Sequence, residues 1–180
     1  MERTTYLLVD GENIDATLGN SILGRRPRPE ERPRWDRLLE WCERAFDQPV
    51  KGLFFLAAGT EMPTTFVQAL IAIGFTPVPL SGPGKVVDIA IQRTAEALVA
   101  RAADVVLASH DGDFVDQVSA LCDGSRQVGV VGFGEFVNGA FRGLPGLRII
   151  DLEYDVEAFN SALPRVRVIP IDEFDPLDFL

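Results

Sequence analysis

The residues best suited to chemistry in this 180-residue chain are aspartates that directly follow apolar runs. Asp104-Val105-Val106-Leu107-Ala108 leads into Ser109-His110-Asp111-Gly112-Asp113-Phe114, and Tyr6-Leu7-Leu8-Val9 leads into Asp10-Gly11-Glu12-Asn13. Turns at the C-terminal ends of buried strands are where open α/β sheets place their sites. If these two strands are parallel neighbours, Asp10, Asp111 and Asp113 converge on one patch of the sheet edge. Carboxylates crowded together repel one another unless a cation neutralises them, and hard oxygen donors favour magnesium or manganese. Asp88 is a further acidic position, in the first turn of a helix just after Lys85 of a Gly-Pro-Gly loop.

Such a set suits phosphodiester hydrolysis, which needs an activated water and relief of the charge that builds on phosphate oxygens. One Mg2+ or Mn2+ ion held by Asp10, Asp111 and Asp113 would polarise a phosphate and lower the pKa of its water. Asp88 would hold a second ion or orient the attacking water. Lys85 is a candidate phosphate contact and Ser109 a candidate substrate-binding group. Each residue also has an ordinary structural explanation. Acids in first turns complement the helix dipole, Asp111, Asp113 or Ser109 can cap the helix that follows, and Asp-Gly is a common turn. Lys85 can be a plain loop lysine, and Ser109 can instead bond a ligand carboxylate. His110, the single histidine, is directed away from the Asp111 side by strand alternation and reads as a bystander.

The elements that must position these groups are legible in the apolar spacing. Strands are predicted over 4–9, 52–58, 75–80, 104–108, 127–131 and 147–150, with Pro77 and Pro79 marking the third as an edge. Helices are predicted over 12–19 (broken by Asn20 and Gly24), 35–46, 64–73 (stopped by Gly74), 87–102, 114–121 and 136–141. Strands alternating with helices predict a three-layer α/β/α domain with a mainly parallel sheet of five or six strands. Residues 1–150 read as that domain and 151–180 as an acidic C-terminal extension packing on it or on a partner, with a homodimer one such arrangement.

Residues 24–37 differ, with six arginines (25, 26, 28, 32, 34 and 37) and three prolines. Proline at that density forbids a regular helix, so the stretch is an exposed loop. Either it is simply solvated, its charge halved by Glu30, Glu31 and Asp36, or with Trp35 it is a phosphate-contacting arm. The net charge of −10 argues against broad electrostatic adhesion to nucleic acid but not against a local basic groove. Cys42 and Cys122 lack metal-ligand spacing and read as small hydrophobes in a reducing compartment. With no leader and no apolar run of membrane-spanning length, a cytoplasmic protein is expected.

Taken together, Val9-Asp10-Gly11-Glu12-Asn13, Lys85-Val86-Val87-Asp88 and Val106 to Phe114 resemble, in order and spacing over roughly residues 4–150, the three signatures of NYN domains of the PIN-like nuclease superfamily. The resemblance implies a metal-dependent endoribonuclease in which Asp10, Asp88, Asp111 and Asp113 form the acidic constellation and Asn13 is the polar residue beside the first aspartate. It also implies a further acid where Thr94 stands; Glu96 is nearby but on another face. That departure keeps open an inactive PIN-like domain binding RNA or a protein partner. Two other enzyme classes fit less well. A haloacid-dehalogenase-type phosphatase needs an aspartate where Glu12 stands, and a Toprim-type nuclease needs an early glutamate and has no use for Lys85 and Asp88.

Overall fold

A computed structural model describes residues 2–59, 63–165 and 169–180. Six strands form one sheet: β1 (Thr4–Asp10), β2 (Val50–Ala57), β3 (Thr76–Leu80), β4 (Ala103–Ala108), β5 (Val128–Gly132) and β6 (Leu147–Asp151). Their spatial order is β3-β2-β1-β4-β5-β6, and every neighbouring pair is parallel. The sheet therefore has six strands and is wholly parallel, where the sequence predicted five or six and mainly parallel. The helices are α1 (Gly11–Thr17), α2 (Trp35–Phe46), α3 (Thr64–Ile73), α4 (Val86–Leu98), α5 (Val115–Leu121) and α6 (Gly139–Arg142).

Alternation along the strands divides the core into two layers. Leu7, Val9 and Phe54 face one side and pack with Leu38 and Leu39 of α2 and Leu70 of α3. Leu8, Phe55, Val105 and Leu107 face the other and pack with Ile91 and Ala95 of α4 and Val118 of α5. Strands buried on both faces need apolar residues at successive positions, which explains the continuous runs in the sequence. The chain builds outward from β1 through β2 to β3, then returns to lay β4 on the other side of β1, with Val9 opposite Ala108. At such a reversal the loops leaving the two strands part in opposite directions and open a crevice. Asp10 and Ser109 are the residues that leave these strands.

Local departures have local causes. The first helix does not break at Asn20; it continues as a π-helical stretch, Leu18–Leu23, and ends at Gly24 with φ +71°. The 136–141 helix is two pieces, because Asn138 accepts a hydrogen bond from the Ala140 N–H and starts α6 afresh. Within the arginine-rich loop, Arg25 pairs with Glu31 through two 2.6 Å bonds and Arg32 with Asp15 at 2.7 Å. Arg37 bonds the Glu157 and Phe159 carbonyls and Asn160 Oδ1, which ties α2 to residues beyond β6. Trp35 is buried edge-on against Phe54, so it cannot serve as a base-stacking surface for an arm. Leu152, Val156 and Ala158 belong to the α2-side core. Cys42 is buried, its thiol pushed up to about 12 chiefly by burial, and both cysteines are free. Among the described residues, no helix is long and apolar enough to cross a membrane.

Candidate metal centre

Asp10 ends β1 and caps α1, accepting the Asn13 N–H at 3.5 Å. From the neighbouring strand end, Ser109 Oγ donates to Asp10 Oδ2 at 3.0 Å and accepts the Asp111 N–H at 3.1 Å. Asn13 Oδ1 accepts the His110 N–H at 2.8 Å, closing a second link between the same two turns. Asp111 caps a 3-10 turn over Gly112–Phe114 by accepting the Asp113 N–H at 2.9 Å, and that turn leads directly into α5. Asp88 lies in the first turn of α4, and Gln92 of that helix donates to the Asp113 carbonyl at 3.2 Å. Three separate segments thus hold the acids in one place.

One carboxylate oxygen from each of Asp88, Asp111 and Asp113 falls within 4.8 Å of the other two. Asp10 stands outside that trio but shares with Asp88 and Asp111 a cleft of about 390 Å³, whose walls include Glu12, Asn13 and Lys85. All four expected aspartates thus face one crevice, with Asp88, Asp111 and Asp113 the tightest group because α4 runs its first turn up to the Asp111 turn, and Asp10 beside them, held by Ser109. Lys85 Nζ lies 3.5 Å from Asp113 Oδ2 and 4.0 Å from Asp88 Oδ2. Its side chain is otherwise exposed.

The electrostatics match this crowding. Asp10 is only 3% exposed, and its carboxyl is pushed up to about 6 chiefly by burial. The Ser109 and Asn13 hydrogen bonds oppose that shift, while the charges of Asp88 and Asp111 add to it. The Asp88 carboxyl is raised by burial first and by Asp111 second, with Lys85 pulling the other way. The donors are all carboxylate oxygens, and Lys85 is the one cation paired with them among the described residues, a set that fits a hard divalent cation.

Other expected residues fall as follows. Ser109 is fully buried with its hydroxyl engaged on both sides, so it positions Asp10 and Asp111 and cannot touch a substrate. Asn13 lines the cleft, and its amide nitrogen has no hydrogen-bond partner among the described residues. Thr94 bonds back to the Ala90 carbonyl at 2.7 Å, and Glu96 accepts from Gln117 at 3.4 Å; neither joins the acidic cluster. His110 is a buried structural residue. Its Nε2 accepts the Phe133 N–H at 2.8 Å, which fixes the proton on Nδ1, where it is donated to Thr17 Oγ1 at 3.1 Å. Burial holds its pKa down at about 4. Glu12 was not among the expected site residues, yet it lines the cleft and its charge helps raise Asp88. The only signal for it was its place in Asp-Gly-Glu-Asn.

The family model for the NYN domain matches residues 4–144, which takes in the whole crevice and all but the last strand of the sheet. The chain belongs to the NYN domain family. This is a PIN-like nuclease family, and the NYN fold accounts for the six-stranded parallel sheet between two helical layers. No curated protein matches the chain. Beyond the matched residues the chain adds β6 to the same sheet, and Leu152, Val156 and Ala158 are buried in the same core.

Proposed function

We propose that this NYN domain is a cytoplasmic, metal-dependent endoribonuclease that hydrolyses RNA phosphodiester bonds. The observation that carries the proposal is the convergence of Asp88, Asp111 and Asp113 within 4.8 Å, beside the buried Asp10, at the crevice where the sheet reverses direction. In this reading Asp88, Asp111 and Asp113 hold Mg2+ or Mn2+ and Asp10 completes the site from below. A divalent cation there supplies Lewis-acid polarisation of phosphate and a more acidic water.

The chain's own residues do the rest. Ser109 and Asn13 lock the two strand-end turns together, so the carboxylates need not reorganise when they bind. The Asn13 amide, on the cleft wall, and the Lys85 ammonium, on its glycine-flanked loop, are the donors for substrate phosphate oxygens. Asp88 orients the attacking water; water adds to phosphorus, the P–O bond to the leaving ribose oxygen breaks, and a proton passes from the water to that oxygen.

The test is cleavage of labelled single-stranded and hairpin RNA with manganese, comparing wild type with Asp111→Asn. Asparagine keeps the capping bond to the Asp113 N–H while removing the charge. Cleavage by wild type and its loss in the variant support the proposal. RNA binding without metal-dependent cleavage in either protein replaces it with the inactive binding domain, the reading that Thr94 in place of an acid favours.

A further inference from the structure

Lys85 is an unfavourable residue for the place it holds in the helix. It is the N-cap of α4, its side chain caps no backbone N–H, and its positive charge faces the positive end of the helix dipole. Gly82 and Gly84, with φ of +142° and +76°, shape the loop that brings it there. The ammonium lies instead beside two of the clustered acids, 3.5 Å from Asp113 Oδ2 and 4.0 Å from Asp88 Oδ2. The residue type suits that position. Of the seventeen basic residues only Lys51 and Lys85 are lysines. An ammonium is a compact point charge that sits among oxygens as a small ion does, whereas a guanidinium would clamp a carboxylate through both oxygens.

The acids available point the same way. Two-ion sites for phosphoryl transfer hold their ions roughly 3.5–4 Å apart, so a second ion here would need ligands of its own beside the first. Among the described residues Asp88, Asp111 and Asp113 are the one group of three close enough to share an ion. Asp10 is 3% exposed, with one oxygen on the Ser109 hydroxyl and the other on the Asn13 N–H. Glu12 is turned to the Ala57 N–H at 3.4 Å, Thr94 is bonded back to Ala90, and Glu96 is bonded to Gln117. The ligands suffice for one ion. The edge of the trio where a second ion would share Asp88 and Asp113 is the edge that Lys85 covers.

We infer, on the metal-dependent nuclease reading, that the site takes a single divalent ion and that the Lys85 ammonium supplies the second positive charge. An ammonium has three N–H donors for phosphate oxygens, but it cannot coordinate a water and make it more acidic. The tasks that a pair of ions would share are therefore divided between unlike groups. The attacking water is handled at the Asp88 side, and charge gathering on the phosphate is met at Lys85.

The test titrates the full chain with manganese and counts bound ions from the loss of the free-ion electron paramagnetic resonance signal. Wild type should bind one ion. Lys85→Gln should also bind one, because it removes the charge without adding a ligand. Lys85→Glu sets a new carboxylate beside Asp88 and Asp113, and should bind two ions and show the exchange-coupled signal of close neighbours. Glutamate at a helix N-terminus complements the dipole, so the fold of that variant is secure. Anisotropy titrations of single-stranded RNA in calcium give a second readout. There Lys85→Gln should weaken binding about tenfold and reduce the salt slope by about one, as loss of one phosphate contact does. Two ions on wild type, one on Lys85→Glu, or unchanged RNA binding by Lys85→Gln overturns the inference and leaves a metal-dependent nuclease standing. No manganese on wild type overturns the nuclease reading and this inference with it.

Discussion

Asp10→Asn should make the metal-free protein more stable while removing one of its proposed metal-supporting groups. The buried carboxyl is raised from 3.8 to about 6, so above that range the folded state holds a charge it would rather not carry. A shift of that size is about 3 kcal/mol, at roughly 1.4 kcal/mol per unit. The sign follows from linkage: a raised pKa gives stability that is fully present below 3.8 and is lost as pH rises through about 6. The loss of the charge-assisted bond from Ser109 is already contained in that shift, and the asparagine amide can donate to the same hydroxyl. The gain near pH 8 is thus about 3 kcal/mol, which for a chain of this length raises Tm by roughly 6–12 °C. The charge contribution falls to about half near pH 5 and to under ~1 kcal/mol near pH 4.

Circular-dichroism melts of both proteins in chelator across that pH range measure the difference directly. His110, whose depressed pKa gives the opposite slope, is common to both proteins and cancels. Excess manganese should then stabilise wild type, by about 2.7 kcal/mol at a hundredfold excess over Kd, and stabilise the variant much less. If Asp10→Asn is no more stable than wild type near pH 8, or if its advantage does not shrink on acidification, burial of an unneutralised carboxylate is not what shapes this site.

Further outcomes follow from other parts of the molecule. Asp111→Asn should lower manganese-dependent RNA cleavage by roughly two orders of magnitude or more, measured in single-turnover assays, because a metal-supporting charge is lost while the turn is kept. His110→Ala should lower stability by about 3 kcal/mol in urea titrations, since it leaves the Phe133 N–H without its acceptor and opens a cavity, while kcat of the folded protein stays within about threefold. Gly11→Ala should be more damaging in the same assay than Gly112→Ala. The new methyl would lie 2.5 Å from the Phe54 ring, itself wedged against Trp35, Phe66 and Phe75, whereas at Gly112 it meets only the end of the Asn138 side chain. Asp104→Ala, at the opposite ends of the strands, should destabilise by about 1–2 kcal/mol by removing the buried acceptor that the part-exposed Arg3 and Gln48 and the Gln127 N–H share, and should leave the manganese-induced Tm shift unchanged.

The sequence by itself determined what depends on near neighbours. Short continuous apolar runs bounded by turn residues read as strands covered on both faces, the spacing of Trp35, Leu38, Leu39 and Cys42 reads as one face of a helix, and Gly74 stops α3 because it supplies φ +109°. The Asp-Gly turn after β1 and the Ser-His-Asp-Gly-Asp turn after β4 were visible as candidate site loops for the same reason. Only the tertiary structure decided which of these groups meet. The reversal of strand order sets β4 beside β1, and that single placement lets Ser109 hold Asp10 across 99 residues of chain, beside the cluster of Asp88, Asp111 and Asp113. Nor could spacing tell that Ser109 would be sealed beneath the cleft, that Glu12 would line its wall, or that half of the loop arginines would be committed to Glu31, Asp15 and the segment after β6. Hydrogen-bond partners and burial are properties of pairs far apart in sequence, and local pattern carries no record of which distant group will arrive.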